Sequence, residues 1–391
     1  MPNDKLTMWK LLYNMRKTDA SDLHIKVGMP PVYRIGGELR SPQGMDPLTV
    51  EDTKRLLSEI MPPAHRHKFE ETGDIDFSTF QDHDPEHDPG DTITPETERK
   101  RDRFRCNVFR AGGGMHGAIR RVKPEIPSFK ELGLPPVYAK IVDEASEGLI
   151  LVVGVTGSGK STTLACMLDR INATRGVNIV TIEDPVEFQL TPKKAIISQR
   201  ELGTDVQSYG AALKYIVRQD PDVIFIGELR DHETVMAAVQ AAETGHLVFG
   251  SLHSADTMQC FGRMVEFFPQ NEHAFIRAAL GNTLQAVFAQ RLLPANAEMA
   301  GSPVVPAYEV LRANGSVREM IREGEDTNLP TIINASASDG MISFTACLAA
   351  LIEKEHISMS TALEYAPNRE ALQSLIKGVQ VRSSTLVGKK S

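Results

Sequence analysis

An apolar run, a glycine-rich turn and a helix-forming segment follow one another near the middle of this 391-residue chain. The run is Leu149–Val153, and the turn after it, Gly154–Ser161, matches the pattern G-x-x-x-x-G-K-[ST]. Backbone N–H groups of such a turn at a helix N-terminus bind phosphate oxygens, and the helix dipole assists them. The order of these segments therefore predicts a phosphate loop between a buried strand and a helix, with a nucleoside triphosphate as its ligand.

The residue types in the turn indicate what each position does. Lys160 is expected to reach the β- and γ-phosphates, and the Ser161 hydroxyl is expected to bind Mg²⁺. Gly157 and Gly159 let the backbone approach the anion where a Cβ atom would clash. The predicted phosphate-binding residues are Gly154, Thr156, Gly157, Ser158, Gly159, Lys160, Ser161 and Thr162.

Composition is that of an ordinary globular protein with two or more domains. Apolar residues make up 41% and charged residues 24% of the chain, and the net charge of −8 argues against nucleic acid as the main partner. The four cysteines form no C-x-x-C pair, so neither a zinc ribbon nor a disulfide framework is predicted. Neither a signal-peptide core nor a run of 18 apolar residues occurs, which predicts a cytoplasmic protein without direct membrane insertion.

The positions of proline and glycine residues predict the boundaries between four regions of the chain. They are an α+β module at 1–123, a proline-rich linker at 124–139, a P-loop core at 140–300, and a helical region with a disordered tail at 301–391. Within the first module, the segment 81–102 contains eight acidic residues and is predicted to be a flexible insertion between two hairpin strands. A metal site that includes His83 and His87 is the alternative for this segment.

From about residue 140 the pattern alternates between strand and helix, which is typical of a parallel sheet with crossover helices. The predicted strands are 149–153, 178–182, 195–198, 222–227 and 246–250. The last hundred residues are predicted to be mostly helical. The fold class predicted for this part is therefore α/β.

Acidic and histidine residues stand at the ends of these predicted strands. Glu183 and Glu228 each follow an apolar strand directly, and His246 and His253 bracket a third. Ligands of open parallel sheets bind beyond the carboxyl ends of the strands, so both acids are expected to face the phosphate loop. A histidine near a γ-phosphate can donate a hydrogen bond that reports whether the phosphate is present.

Each of these stretches also has a purely structural interpretation. Asp184 and Pro185 are compatible with a simple turn. Arg230 and Asp231 are compatible with a cap and an ion pair at the helix that starts near residue 231. The functional interpretation rests on three strand ends that follow a phosphate loop in the expected order.

Several stretches of the chain resemble one known family, the secretion and type IV pilus ATPases. Val217–Asp231 matches the signature of the family, Thr181–Phe188 its aspartate box and His246–His253 its histidine box. The resemblance extends to Ser21–Arg40, Ala307–Glu323 and Asp339–Ala350. It implies an N-terminal α+β (PAS-like) module joined to a RecA-like P-loop NTPase domain with a helical C-terminal region. It also implies a homohexameric ring that uses ATP and Mg²⁺.

The family resemblance also implies roles for the residues at the strand ends. Glu183 corresponds to the catalytic base, and His246 and His253 to the pair that senses the γ-phosphate. Glu228 corresponds to the Walker B acid, which acts on Mg²⁺ directly or through water. It acts alone, because the position that holds an aspartate in other P-loop proteins is Gly227 here.

The resemblance further implies arginines that reach the nucleotide of a neighbouring subunit. Arg105 and Arg120 match by position. The run Ala111–Gly114 replaces a stretch in which relatives carry a further arginine, and Arg110 is the alternative donor. An arginine of this kind contributes ~10³–10⁵ to the rate of phosphoryl transfer.

Within the family, the chain resembles the PilT-type retraction ATPases, because the stretch 292–306 lacks the tetracysteine zinc insert of many assembly and secretion ATPases. The predicted function is therefore a hexameric, ATP-hydrolysing motor that powers type IV pilus retraction (twitching motility). Its predicted partner is an inner-membrane pilus platform protein, through which it is peripheral at that membrane. The alternatives are a pilus-assembly or type II secretion ATPase, and a slowly hydrolysing nucleotide-binding regulator. A nucleic-acid translocase is disfavoured by the negative net charge.

Overall fold

Residues 6–82, 101–122 and 126–378 are described by the computed structural model of this chain. They belong to two units, whose bounds in the chain are Met1–Glu125 with Glu187–Thr191, and Ile126–Val186 with Pro192–Ser391. Most of the predicted acidic insertion lies outside the described residues, as do His83, His87 and the predicted disordered tail. Among the described helices, none combines the length and apolarity needed to cross a bilayer.

The described residues of the first unit form a six-stranded antiparallel sheet and three helices. Its elements are α1 (Met8–Lys17), β1 (Asp22–Ile25), β2 (Val32–Ile35), β3 (Glu38–Arg40), α2 (Val50–Ile60), α3 (Pro63–Thr72), β4 (Asp74–Asp82), β5 (Arg101–Ala111) and β6 (Gly114–Val122). The strand order is β3-β2-β1-β6-β5-β4. Leu11 of α1, Leu57 of α2 and Phe104 of β5 are fully buried in its core. Helix α2 begins with a capping box between Thr49 and Asp52, which satisfies two backbone N–H groups.

Strands β5 and β6 form a hairpin in which Ala111 pairs with Gly114. Gly112 and Gly113 form its two-residue turn with φ angles of 56° and 80°. A tight hairpin turn of this kind needs positive φ at both central residues, which favours glycine. The turn therefore explains why glycine occupies positions 112 and 113.

The second unit is built on a seven-stranded sheet with the order β13-β12-β7-β11-β10-β8-β9. Its strands are β7 (Gly148–Val153), β8 (Asn178–Glu183), β9 (Ile196–Glu201), β10 (Val223–Ile226), β11 (Leu247–Leu252), β12 (Leu284–Pro294) and β13 (Val304–Arg312). All neighbouring strands pair in parallel except β12 and β13, which are antiparallel. Strands β7, β10 and β11 are buried along their whole length, which explains their continuous apolar sequences.

Helices connect and cover these strands. They are α4 (Pro136–Glu144), α5 (Lys160–Thr174), α6 (Tyr209–Ile216), α7 (His232–Glu243), α8 (Thr257–Val265), α9 (His273–Thr283), α10 (Ala297–Ala300), α11 (Gly315–Glu323), α12 (Leu329–Ala335), α13 (Phe344–Glu353), α14 (Met359–Tyr365) and α15 (Arg369–Ile376). The described part of the C-terminal region after β13 is thus helical apart from short 3₁₀ turns and loops.

The five strands predicted from residue 140 onward are all present, with ends shifted by three residues at most. The expectation of mostly helical structure in the last hundred residues is wrong for Val304–Arg312. This stretch is strand β13, so a boundary at residue 300 would divide the sheet. Pro306 obscured the strand pattern of this stretch, because proline cannot donate a hydrogen bond to a neighbouring strand. It is tolerated here because β13 lies at the edge of the sheet.

Candidate nucleotide site

The phosphate loop connects the buried strand β7 to helix α5, as its sequence predicts. Gly157 and Gly159 have φ angles of 78° and 88°, in the left-handed region that favours glycine. No side chain of the described residues caps the first turn of α5. Ser161, in that turn, is exposed. The first N–H groups of the helix are therefore available to an anion, in the arrangement that suits a phosphate.

Lys160 folds back onto the loop that precedes it. Its Nζ atom donates hydrogen bonds to the carbonyl oxygens of Gly154 at 2.9 Å and Val155 at 3.1 Å. Burial lowers the pKa of the Lys160 ammonium below its usual value, and the negative charge of Glu228 opposes that shift. The cation and the acid thus lie close enough to interact, which places the Walker B candidate beside the phosphate loop.

A glutamine that the sequence analysis missed holds the loop from strand β12. The buried side chain of Gln290 donates from Nε2 to the Ser158 carbonyl at 2.7 Å. Its Oε1 atom accepts a hydrogen bond from the Thr163 hydroxyl at 2.8 Å. One amide therefore ties both ends of the tight turn around Gly159 to the sheet. No sequence signal marks it, because Gln290 and Thr163 are 127 positions apart.

Glu183 ends strand β8 and is 7% exposed. Its Oε1 atom accepts hydrogen bonds from the Thr181 hydroxyl at 2.7 Å and from Gln199 Nε2 at 3.0 Å. Gln199 lies on the neighbouring strand β9, opposite Thr181 in the parallel register. Two donors from the sheet thus orient this carboxylate at the carboxyl edge. Neither donor was singled out from the sequence.

Glu228 and His253 meet at the same edge. They follow the ends of the adjacent parallel strands β10 and β11. Nε2 of His253 lies 3.3 Å from Oε1 of Glu228, and both side chains are partly exposed. The two residues and Glu183 therefore lie at the ends of three consecutive strands, β11, β10 and β8, on one side of β7, the strand that leads into the phosphate loop.

His246 lies at the opposite edge of the sheet, because it precedes β11 whereas His253 follows it. Its Nδ1 atom lies 2.9 Å from the Ala241 carbonyl and 3.1 Å from the Thr244 hydroxyl, at the C-terminus of helix α7. The structure thus does not bring His246 together with His253 or with the phosphate loop of its own chain. Its assignment to a γ-phosphate-sensing pair has no geometric support within this chain.

Gly227 occupies the position that holds an aspartate in other P-loop proteins, and the surrounding contacts leave little room there. A Cβ atom would lie 3.2 Å from each of the Glu183 Cα atom, the Ile182 carbonyl oxygen and the Tyr209 hydroxyl. Such contacts are closer than ordinary van der Waals packing allows. The absence of a side chain at Gly227 is therefore tied to the close approach of the backbone at Glu183.

Arg230 and Asp231 form the helix cap and the ion pair that their structural interpretation predicts, in the same loop as Glu228. Asp231 forms a capping box with Thr234 at the start of α7. The guanidinium of Arg230 lies 3.6 Å from the Asp184 carboxylate and over the ring of Tyr209. One loop therefore supplies both a helix cap and an acid at the site.

The predicted arginines lie within the first unit. Arg105 and Arg120 face each other across strands β5 and β6. Nε of Arg120 donates to Asp22 Oδ1 at 2.8 Å, while the Arg120 side chain remains 69% exposed. A guanidinium nitrogen of Arg105 lies 3.9 Å from a Glu187 carboxylate oxygen. Their action on a neighbouring subunit stays a prediction.

Arg110, the alternative donor, is engaged within the first unit. Its guanidinium lies over the Phe69 ring at 5.3 Å and donates to the Glu70 carbonyl at 3.3 Å. A role at a nucleotide would require both contacts to break. The geometry therefore favours Arg105 and Arg120 over Arg110.

Sequence comparison relates the chain to known proteins over most of its length. A family model described as type II/IV secretion system protein matches residues 88–335. The type IV pilus retraction ATPase PilT of Pseudomonas aeruginosa is 38% identical over 357 residues, which cover 91% of this chain and 97% of that protein. The twitching motility protein of Neisseria gonorrhoeae is 36% identical over 342 residues, covering 88% and 86%.

Structural comparison also relates the chain to a pilus retraction ATPase. The crystal structure of the pilus retraction motor PilT with bound ADP matches with a TM-score of 0.82 at 39% identity, covering 94% of this chain and 99% of that one. This similarity confirms the predicted fold class, in which an N-terminal α+β module precedes a P-loop ATPase domain with C-terminal helices. It also supports nucleotide binding by this chain.

Proposed function

Since the chain belongs to the type II/IV secretion system protein family, we propose that it is a motor that couples ATP hydrolysis to type IV pilus retraction. The observation that carries the proposal is the meeting of the phosphate loop, Glu183 and the Glu228–His253 pair at one sheet edge. The 38% identity to a pilus retraction ATPase along 91% of the chain favours retraction over assembly.

The phosphate loop and the residues beside it would bind the triphosphate. The backbone N–H groups at the start of α5 would hold phosphate oxygens, and Lys160 would exchange its loop carbonyl partners for the β- and γ-phosphates. Exchange of two neutral acceptors for anionic oxygens strengthens its hydrogen bonds. Gln290 would keep the turn in the shape that this requires.

The residues present fit Mg²⁺ as the accompanying ion. The exposed Ser161 hydroxyl and the Glu228 carboxylate are hard oxygen donors, which Mg²⁺ prefers. Among the described residues there is no cluster of three or more His, Cys, Asp or Glu side chains that could hold a metal alone. Ser161 and Glu228 would therefore hold the ion together with phosphate oxygens and water. When bound, Mg²⁺ neutralises charge on the phosphate oxygens.

Glu183 is the proposed base for the attacking water. Its carboxylate is buried at the carboxyl edge and oriented by Thr181 and Gln199, as a positioned base requires. His253 would donate from Nε2 to the γ-phosphate and return to Glu228 when that phosphate leaves. This exchange of partners would link hydrolysis to a change in protein structure.

The assembly around this site is also proposed. In a homohexameric ring, Arg105 and Arg120 of one subunit would stabilise negative charge on the nucleotide of its neighbour. The cytoplasmic ring would associate with the inner membrane through a pilus platform protein. The partial exposure of Arg120 supports this role, because the guanidinium is presented to solvent while Asp22 holds it.

The test combines turnover with pilus counts. We expect Lys160→Ala to abolish ATP turnover and Glu183→Gln to reduce it by about 10²-fold or more while nucleotide binding survives. Deletion of the gene should produce hyperpiliated cells, and neither variant should reverse this. Loss of pili on deletion would instead indicate an assembly motor. Negligible turnover by the wild-type protein, equal to that of Glu183→Gln, would indicate a nucleotide-binding regulator.

A further inference from the structure

Two charged side chains on neighbouring strands of the second unit each join the same two regions of the chain. Arg291 lies on β12 and Glu309 on the antiparallel edge strand β13. One region is the segment Ala255–Thr257, two residues after His253. The other comprises the C-terminal helices α13 and α14.

Glu309 divides its two carboxylate oxygens between these regions. Oε1 accepts hydrogen bonds from the backbone N–H of Thr257, at 3.2 Å, and from the Thr257 hydroxyl. Oε2 accepts from the backbone N–H of Phe344, the first residue of α13, at 3.4 Å. Glu309 is 7% exposed and Thr257 is completely buried. The carboxylate therefore lies between the N-termini of two helices, where a negative charge is favourable.

Arg291 divides its guanidinium in the same way. Nη2 donates to the Ala255 carbonyl at 3.1 Å, and Nη1 donates to the carbonyl of Tyr365, the last residue of α14, at 2.8 Å. The guanidinium also lies over the ring of Phe344 at 4.8 Å. Arg291 thus contacts both C-terminal helices and the segment after His253. Gln290, its neighbour in sequence, holds the phosphate loop on the other face of β12.

The burial of the Glu309 charge needs a reason other than stability. Burial raises the pKa of Glu309 above its usual value, and the hydrogen bonds from Thr257 and Phe344 offset part of that shift. Well-packed apolar residues often stabilise a core as well as buried charges do. Apolar residues could not, however, hold two backbone segments at a fixed hydrogen-bonding distance. The bridges fix the position of Ala255–Thr257 relative to the C-terminal helices.

We propose that Arg291 and Glu309 are positioning residues that transmit movement of His253 to helices α13 and α14. The inference rests on the proposed function, because His253 must change partners when the γ-phosphate leaves. The segment after His253 cannot shift without moving both the Arg291 and the Glu309 bridge. The nucleotide state at His253 is thereby transmitted to the C-terminal helices α13 and α14.

The test is amide hydrogen exchange of the full chain, with Mg²⁺ and either ADP or a non-hydrolysable ATP analogue. In the wild-type protein, peptides that cover Phe344–Glu353 and Met359–Tyr365 should exchange differently with the two nucleotides. Arg291→Lys keeps the charge but replaces the rigid fork of two nitrogens, each on its own carbonyl, with a single nitrogen that cannot stand at both positions. Glu309→Gln keeps the shape but replaces one acceptor with a donor. In both variants the nucleotide-dependent difference should shrink by about fivefold or more, with KM for ATP changed by less than about threefold.

Arg312→Lys is the matched control. Arg312 is also on β13 and donates to the Asp339 carbonyl and to Glu144, with no bond to the segment after His253 among the described residues. It should keep the nucleotide-dependent difference, and thermal unfolding should show all three variants folded at the assay temperature. Should Arg291→Lys fail to fold, Thr257→Val removes the hydroxyl bond to Glu309 but keeps the backbone N–H bond, and should give a smaller loss in the same direction.

The outcomes separate the inference from the proposed function. A wild-type protein that hydrolyses ATP but shows equal exchange with the two nucleotides would overturn the inference and leave the motor's chemistry intact. Folded variants that keep the full nucleotide-dependent difference would also overturn it. A wild-type protein that neither hydrolyses ATP nor releases phosphate would overturn the proposed function itself, and the inference with it.

Discussion

The Nε2 atom of His253 lies 3.3 Å from the Oε1 atom of Glu228, where two adjacent parallel strands end. Both side chains are partly exposed, so the pair itself contributes only about 0–1 kcal/mol to stability. Its importance lies in its position, because the charge of Glu228 also acts on Lys160 in the phosphate loop. The imidazole is thereby held beside the site without a strong bond that hydrolysis would have to overcome.

Replacement of Glu228 by glutamine should separate catalysis from stability. We expect kcat for ATP hydrolysis to fall by about 10²-fold or more, because the metal-facing charge is lost. The free energy of unfolding should change by less than about 1 kcal/mol, since the contact between Glu228 and His253 is partly exposed. Steady-state turnover and chemical unfolding measure the two effects. A variant that unfolds easily but turns over normally when folded would contradict the assignment.

His246→Ala is the matched control for His253→Ala. Loss of His253 should lower kcat by at least about tenfold with little change in stability. Loss of His246 should cost about 1 kcal/mol of stability, because its hydrogen bonds at the end of α7 disappear, while kcat falls by less than about tenfold. If both variants lowered kcat equally at unchanged stability, His246 would have to act beyond the site of its own chain.

Gln290→Leu should weaken nucleotide binding indirectly, through the phosphate loop that Gln290 holds. The change leaves the Ser158 carbonyl and the Thr163 hydroxyl without their partner in a buried place, at a cost of about 1–3 kcal/mol. We expect KM for ATP to rise by about tenfold or more, while kcat at saturation falls less. Steady-state kinetics over a range of ATP concentrations measures this split. An unchanged KM with a reduced kcat would show that Gln290 acts on chemistry instead.

The features of the site that the sequence could predict are those carried by residues close together in the chain. The strand, turn and helix around Lys160 are contiguous, and their residue types carry both the fold and the phosphate chemistry. The acids Glu183 and Glu228 could be placed because parallel strands end at a common edge. His246 and His253 are seven positions apart across a strand, and the strand of six residues between them spans about 20 Å. Strand length alone therefore implies that they lie at opposite edges.

What the sequence could not predict depends on contacts between distant positions. Gln290 reaches Ser158 across 132 positions, and Glu309 reaches Thr257 across 52. No periodicity or motif links such pairs, because their partners are set by how strands order in the sheet. Strand β13 was missed for a similar reason. Its place at the edge, which makes Pro306 acceptable, is a property of the sheet order and not of the local sequence.

Gly227→Asp should fail to restore an ordinary Walker B acid. Any Cβ atom at this position would lie 3.2 Å from the backbone at Glu183 and from the Tyr209 hydroxyl, so the neighbouring strand must shift. We expect Gly227→Ala to lower the free energy of unfolding by about 1–3 kcal/mol, and Gly227→Asp to lower it further. Thermal and chemical unfolding measure this. Gly262→Ala is the control, because a Cβ atom there meets nothing within 4 Å.

Asp22→Asn should alter how the stability of the protein depends on pH. Burial alone would raise the pKa of Asp22, but hydrogen bonds from Arg120 and Ser21 outweigh it and hold the pKa below its usual 3.8. A carboxyl with a lowered pKa in the folded state adds stability above its unfolded pKa, and that stability is lost as pH falls through the folded value. We therefore expect the variant to be less stable than wild type by about 1 kcal/mol at pH 7, with the difference shrinking below about pH 4. Chemical unfolding at several pH values, with exposed Asp46→Asn as the control for net charge, measures this. A difference that grew on acidification would show that Asp22 does not hold Arg120 through its charge.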